Sequence, residues 1–404
     1  MGLIVQKFGG SSVANADRVK NVARRVVATH LEGHQVVVVV SAPGDMTDDL
    51  VEMARGITDR PPAREMDMLL ATGEQVSIAL LAMAIHAGGH EVISLTGGQA
   101  RIRTEPVHTR ARIVDVDRRR IDQELEAGRI VIVAGFQGIT DQEEITTLGR
   151  GGSDTTAVAV ASALGADLCQ IYTDVEGVFT ADPRVVPAAR KLREISYDEM
   201  LEMASSGALV LQTRAAELAK QYRVPLEVRS SFVDREGTMI TNNSIERRRV
   251  VTGVTHDRNV AKITATGVRD EPGAAYRIFR AVAARHVNVN MIIQSVPRHE
   301  RADISFTVGT ADLVGAVEAV RSVAADVGAE DVLADDGVAM VSAVGAGMIS
   351  NPGVAARMFG ALAANGINIE LIATSEIKVS CVIRADDVER AVQALHAEFQ
   401  LDRE

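Results

Sequence analysis

This 404-residue chain contains no tryptophan, and aromatic residues make up only 3% of it. Its interior must therefore close on Val, Ala, Leu and Ile, and it has few rings on which nucleic-acid bases could stack. Basic residues are in deficit too: 43 Lys and Arg stand against 54 Asp and Glu, a formal charge of −11. Without a cationic stripe, nucleic acid is not an expected partner. The short runs Arg118-Arg119-Arg120 and Arg247-Arg248-Arg249 read as solvated helix or linker faces. Cysteine occurs twice, at Cys169 and Cys381, far apart and within apolar stretches. Neither has a neighbour at metal-ligand spacing, so both read as small core residues in a reducing compartment, and no metal-ligating set is expected. No apolar run reaches the roughly 18 uninterrupted residues of a spanning helix. Lys7 breaks the first apolar run, which argues against a signal peptide. The expected setting is cytoplasmic, without a membrane partner. The Walker pattern G-x-x-x-x-G-K-[ST] is absent as well, so any phosphate site must be built another way.

One such way stands near the start, in Val5-Gln6-Lys7-Phe8-Gly9-Gly10-Ser11-Ser12-Val13. An apolar strand turns through two glycines toward a helix expected from about Asp17 to His30. That turn aims backbone N–H groups in one direction, and Lys7 adds a mobile full charge. Gly-Gly after a strand also serves as a plain tight turn, so the stretch needs company. Company is available. Val36 to Val40, Ile130 to Ala134, Leu168 to Tyr172 and Leu226-Glu227-Val228 read as strands buried on both faces, with helices over 155–165 and 196–204 between some of them. This is the pattern of an α/β layer with a mostly parallel sheet, whose ligands sit beyond the carboxyl ends of the strands. Lys7 to Gly10, Ser41 to Thr47, Phe136 and Thr173-Asp174 all fall at such ends.

The pattern loosens from about Ser231 to Arg249, which marks a domain boundary. Beyond it the chain repeats itself: PGAAYRIFRAVAARHVNVNMIIQS (272–295) superposes without a gap on PGVAARMFGALAANGINIELIATS (352–375). Each copy has a proline opening an amphipathic helix, then Asn and an alternating strand. With a strand before (Ala261–Val268, Ala339–Val344) and another after (Ile304–Val308, Val379–Ile383), the unit reads β-α-β-β followed by a helix. That makes a small antiparallel sheet with helices on one face.

With these residues in view, the chain resembles the bacterial aspartate kinases over essentially its whole length. The stretches that carry the resemblance are KFGGSSV (7–13), TTLGRGGSDTTA (146–157), TDVEGVFTADPR (173–184) and the tandem repeat. The resemblance implies an α/β amino-acid-kinase domain of three layers over residues 1–245, followed by two ferredoxin-like α+β ACT domains. The first would span 262–336. The second would combine 246–261 with 337–404, because a strand near Val250–Val254 joins the second copy's sheet and interlaces the two. The implied activity is ATP-dependent phosphorylation of the side-chain carboxylate of L-aspartate, giving 4-phospho-L-aspartate. Lysine, threonine or both would act as feedback effectors. Mg2+ would accompany the nucleotide, held largely by phosphate oxygens and water.

Residue by residue, the resemblance assigns Lys7 to the transferring phosphoryl group, with Phe8, Gly9, Gly10 and Ser41 around it. Thr173, Asp174, Phe179, Asp182 and Arg184 would form the ATP loop. Arg150 would fork onto a carboxylate of aspartate, flanked by Gly151, Gly152 and Ser153, while Glu74 would meet the amino group with Thr47 nearby. Asp154 would orient the site near the phosphates. Ser153 or Asp154 could equally cap the following helix, and a residue can cap and bind. Asp67 and Glu65 read as helix-surface charges. In the repeats, Asp270, Gly273, Ala275, Asn290, Ile292, Gln294, Asn368, Ile369 and Ser375 fall at effector and interface positions, and copies would associate through the ACT domains. Some relatives make a separate regulatory subunit from an internal start; the sequence does not say whether one such as Met239 is used here.

Two departures stand out. Phe179 replaces a usual tyrosine, and Leu209 stands where relatives place a nucleotide-contacting lysine, a gap that Lys220, Arg214 or Lys191 could fill. They keep two alternatives open: a catalytically weak amino-acid sensor or regulatory partner, and a kinase of the same fold acting on another amino acid.

Overall fold

Val36 to Val40 have no exposed surface at all, and the first sheet is assembled around them. The computed structural model describes residues 2–208, 210–242 and 249–403. Leu209, Arg247, Arg248 and the expected boundary at 245/246 lie outside the described residues. The described chain divides into two units: residues 2–178, 191–204 and 210–242 form one, and 179–190, 205–208 and 249–403 the other.

In the first unit the chain runs β1 (Leu3–Phe8), α1 (Ala16–Leu31), β2 (Gln35–Val40), α2 (Met46–Ile57), α3 (Ala63–Ala87), β3 (Val92–Leu95), β4 (Ile102–Thr104) and β5 (Ile113–Val116). It continues with α4 (Arg119–Glu126), β6 (Ile130–Ala134), β7 (Gln137–Ile139), β8 (Ile145–Thr147), α5 (Gly152–Leu164) and β9 (Leu168–Thr173). After the excursion into the second unit come β10 (Glu194–Ser196), α6 (Tyr197–Ser205), α7 (Thr213–Tyr222), β11 (Leu226–Ser230) and β12 (Thr238–Thr241). Eight strands form one sheet in the order β10-β12-β11-β9-β1-β2-β6-β3. All its pairings are parallel except β11 with β12. The register sets Phe8 beside Val40 and Tyr172, and Val40 beside Ala134, so four strands end at one level. The chain then has one place to put its loops together. A second sheet, β5-β4-β7-β8, was not anticipated from the sequence.

Helix α3 is long and apolar enough to cross a membrane by length and composition alone, yet half of its apolar window is buried within this unit. It packs on β2, β3, β6 and β8, and carries Asp67 and Glu74 inside. Asp67 is wholly buried, which corrects its reading as a surface charge.

The second unit holds β13 (Gly253–Asp257), β14 (Ala261–Arg269), α8 (Ala274–Ala283), β15 (Met291–Gln294), β16 (Arg301–Val308), α9 (Leu313–Val327) and β17 (Asp331–Asp335). Then follow β18 (Val338–Val344), α10 (Val354–Ala364), β19 (Leu371–Thr374), β20 (Lys378–Arg384) and α11 (Val388–Glu398). The two repeats give sheets β15-β16-β14-β17 and β19-β20-β18-β13, matching strand for strand. The fourth strand differs in origin: β17 follows its own repeat, whereas β13 precedes both and pairs antiparallel with β18. Each repeat has its own apolar core. A further cluster joins Val260, Met291, Val338, Met340 and Val382 from the two sheets.

Candidate active site

Strand β1 delivers Lys7 to the level where the parallel strands end. Its side chain is almost buried, and Nζ lies 2.6 Å from Asp154 Oδ1 at the start of α5. The loop beyond β1 is tight by necessity. A Cβ on Gly10 would stand 2.6 Å from the Ala42 carbonyl oxygen, so the two strand-end loops approach as only glycine permits. The Gly44 N–H donates to the Gly10 carbonyl at 3.1 Å and locks that approach. On the far side, a Cβ on Gly135 would meet Ser153 Oγ at 2.7 Å, so the loop after β6 lies directly against the first turn of α5.

These loops enclose a cavity of about 520 Å3. Lys7, Gly10, Ser41, Thr47, Glu74, Arg150, Gly151, Gly152, Ser153, Asp154 and Thr173 all line it. Residues that the resemblance assigns to the phosphate and residues it assigns to the acceptor thus line one hollow. Glu74 reaches it from α3: Oε1 accepts the Ala42 N–H at 3.1 Å, while Oε2 is buried without a partner among the described residues. Burial pushes the Glu74 carboxyl up to about 7. A buried, half-satisfied carboxylate facing a cavity is suited to a cation such as an ammonium group. Arg150 is exposed at the rim and has no ion pair among the described residues, so its guanidinium is open to an anion. A lysine, an arginine and a half-satisfied carboxylate around one hollow match a zwitterion with extra negative charge.

Other expected residues sit elsewhere. Phe8 is fully buried and stacks on Tyr172 with centroids 4.5 Å apart, so it supports the strand ends from behind. The Gly9 N–H is directed to the Tyr172 carbonyl at 3.4 Å. Asp174 is exposed and accepts from Thr173 Oγ1 at 3.1 Å, but does not line the cavity. Phe179, Asp182 and Arg184 belong to the second unit. There Ala181 and Val186 enter an apolar core, and Asp182 closes on Arg184 at 2.8 Å. Packing of the intervening apolar residues explains why this motif does not behave as a free loop.

The three cations that could stand in for a lysine at 209 are engaged. Lys220 pairs with Asp198 at 2.6 Å, and Lys191 donates to the Glu236 carbonyl at 2.6 Å. Arg214 donates to the carbonyls of Leu148 and Ala111 at 2.6 and 3.1 Å. Sequence reasoning missed Asp48, Thr109, Thr147, Val210 and Gln212, which also line the cavity. Gln212 had a signal, since it directly precedes a helix beside a segment already singled out. Thr147 had one too, as a member of the stretch 146–157 that carries the resemblance; Thr109 had none. Among the described residues no three His, Cys, Asp or Glu side chains converge as a metal cage. Asp154 beside Lys7 fits a site where a cation arrives already bound to phosphate.

Of the expected effector residues, Asp270, Gly273, Asn290, Ile292, Gln294, Asn368 and Ser375 are exposed, and Ala275 and Ile369 are half-buried. Gly273 and Gly353 open α8 and α10 with φ of 94° and 99°, a conformation glycine adopts without strain.

The amino acid kinase family model matches residues 2–230, and ACT domain models match 263–325 and 341–399. An aspartokinase of Mycolicibacterium smegmatis is 52% identical over 99% of this chain and 97% of its own length. One from Geobacillus stearothermophilus is 53% identical, covering 100% and 98%. The crystal structure of E. coli aspartokinase III with aspartate and ADP (R-state) matches with TM-score 0.82 and 25% identity, over 98% of this chain and 99% of that one. The same enzyme with lysine and aspartate (T-state) matches with TM-score 0.76 and 26% identity over the same shares. Sharing half its residues with such enzymes from end to end, the chain belongs to the aspartokinases, the aspartate-phosphorylating members of the amino acid kinase family.

Proposed function

We propose that the cavity beyond the strand ends holds aspartate against the terminal phosphate of ATP, with each residue acting as follows. The side-chain carboxylate of aspartate is ionised at neutral pH and needs no general base. One of its oxygens bonds to the γ-phosphorus while the bond to the β-phosphate oxygen breaks, its electron pair leaving with ADP. Lys7 stabilises the charge spread over the transferring oxygens, and Asp154 holds the lysine in place. Glu74 takes the substrate ammonium through its unpartnered oxygen. Arg150, with the loop Gly151 to Ser153 and Thr47, takes a carboxylate. Magnesium would enter with the nucleotide and neutralise phosphate charge. Thr173 and Ser41, which line the cavity, are assigned to the nucleotide side by family resemblance, as are Phe8, Gly9, Asp174, Phe179, Asp182 and Arg184. The observation that carries the reading is the gathering of Lys7-Asp154, unpartnered Glu74 and free Arg150 around one cavity.

Release of ADP measured with aspartate, with glutamate and without acceptor tests it. Turnover with aspartate alone is expected. Comparable turnover with glutamate would assign the fold to another acceptor, and none with either would leave a sensor or regulatory partner. The engagement of Lys220, Lys191 and Arg214 favours that weaker second reading to one extent: it supports low ATP affinity.

We further propose that lysine, threonine or both inhibit through the tandem repeats, and that copies associate through them in a cytoplasmic setting. The T-state E. coli structure with lysine supports the first part. The outer strands β15 and β19, with Ile292 and Ile372 exposed, support the second.

A further inference from the structure

We infer that Asp67 and Arg214 are positioning residues that together set the loop carrying Arg150. This inference rests on the proposed role of Arg150 and extends it. Asp67 lies on α3 seven residues before Glu74, two helical turns away on the same face. Its carboxylate has no exposed surface. A carboxylate is rarely left in such a place unless its oxygens are fully used. They are. Oδ1 accepts the Thr147 hydroxyl at 2.5 Å and the Thr109 N–H at 3.0 Å, and Oδ2 lies 2.7 Å from His108 Nδ1.

Thr147 ends β8, and Gly149-Arg150-Gly151 follows it after the single residue Leu148. Arg214 grips the adjoining residues from α7. Its forked guanidinium donates to the carbonyl of Leu148, one residue before Gly149, and to that of Ala111. Between these grips the backbone is cross-linked, because the Ala111 N–H donates to the Thr147 carbonyl at 3.0 Å. Two elements, α3 and α7, thus hold one short ribbon made of 108–111 and 147–148. The free guanidinium of Arg150 projects from the end of that ribbon. Neither Asp67 nor Arg214 lines the cavity. Asp67 holds Thr109 and Thr147, which do line it, so the effect of the pair on substrate passes through the residues they hold and the loop beyond.

The test is steady-state kinetics of Asp67→Asn, Arg214→Lys and the double variant in the full chain, with Arg150→Ala alongside and thermal unfolding of each. Asparagine keeps the shape but turns a donor toward His108, and lysine reaches only one of the two carbonyls. Each is expected to raise the KM for aspartate about tenfold or more, with the KM for ATP within about twofold. The double variant should fall short of the product of the two effects, because both act on one loop. Should Asp67→Asn fail to fold, Thr147→Val removes a single donor and is expected to give the same aspartate-selective rise, smaller in size. An unchanged KM for aspartate, or both KM values rising together with a lowered melting temperature, overturns the inference. Arg150→Ala separates the two levels. If it leaves the KM for aspartate unchanged, the reading of the loop itself fails; if it raises that KM while the clamp variants do not, only the clamp fails.

Discussion

Lys7 is nearly buried, yet its one ion-pair partner among the described residues is Asp154, a side chain that shares the same cavity. A purely structural ion pair would have no reason to face a hollow. Lys7→Ala is expected to lower kcat by roughly 10²–10³, the usual loss for a preorganised donor to developing charge. An unchanged kcat in the ADP-release assay would remove it from the mechanism. Glu74 makes a different kind of prediction. Its folded-state carboxyl titrates near 7 because of burial, above its ordinary 4.5. For a carboxyl shifted upward, the stabilising contribution is complete below about 4.5 and is lost as pH rises through about 7. Aspartate reverses this, since an ammonium beside Oε2 favours the ionised form. The KM for aspartate is therefore expected to fall as pH rises from 6 to 8, and aspartate should raise the melting temperature more at pH 8 than at pH 6. Glu74→Gln should flatten both profiles. At 209 the prediction comes from what surrounds the nucleotide chemically: with Lys220, Lys191 and Arg214 all committed, Leu209→Lys should lower the KM for ATP and leave that for aspartate unchanged.

At the level of elements, α5 and the strand-end loops are fitted to each other without slack. Gly135→Ala would drive a methyl into Ser153, and overpacking of this kind costs about 1–3 kcal/mol. A lower melting temperature together with a raised KM for aspartate is the expected result, because the displaced residue belongs to the loop proposed to hold the acceptor. The sheet around this junction was legible in advance because its strands are continuous apolar runs such as Val36–Val40, which have few alternatives to burial on both faces. The strands β4, β7 and β8 have only three residues each and mixed patterns (IRT, QGI, ITT), so no periodicity could mark them. Asp67 was misread for a related reason. Helix α3 is buried over much of its circumference, and a charged residue on such a helix is assigned to solvent unless its partners are known. Those partners, Thr147, Thr109 and His108, lie some 40 to 80 residues further along the chain. The repeat exposed β14, β15, β16 and their copies, since duplication doubles every signal. It concealed β17, which has no counterpart at the same place in the second copy.

For the molecule as a whole, the proposed regulation is a statement about linked equilibria. Each repeat has a complete core of its own, with Met358 and Leu362 fully buried in one and Ile278 and Phe306 in the other. The proposed effector residues belong to these bodies and not to the cavity. Binding alone inhibits nothing: an effector shifts the enzyme only by its difference in affinity for active and inactive states. Couplings of this kind amount to about 1–3 kcal/mol, or roughly 5- to 150-fold in affinity. Reciprocity then gives a test that needs no assumption about the path between sites. If lysine weakens aspartate binding by some factor, saturating aspartate must weaken lysine binding by the same factor. Isothermal titration of lysine, of threonine and of both, with and without aspartate, is expected to show that equality for at least one effector. Asp270→Ala and Asn368→Ala should weaken the effector while leaving uninhibited kcat unchanged, as both residues stand outside the catalytic cavity. Heat that is absent for both amino acids, alone and together, would leave the tandem repeats with association between copies as their whole role.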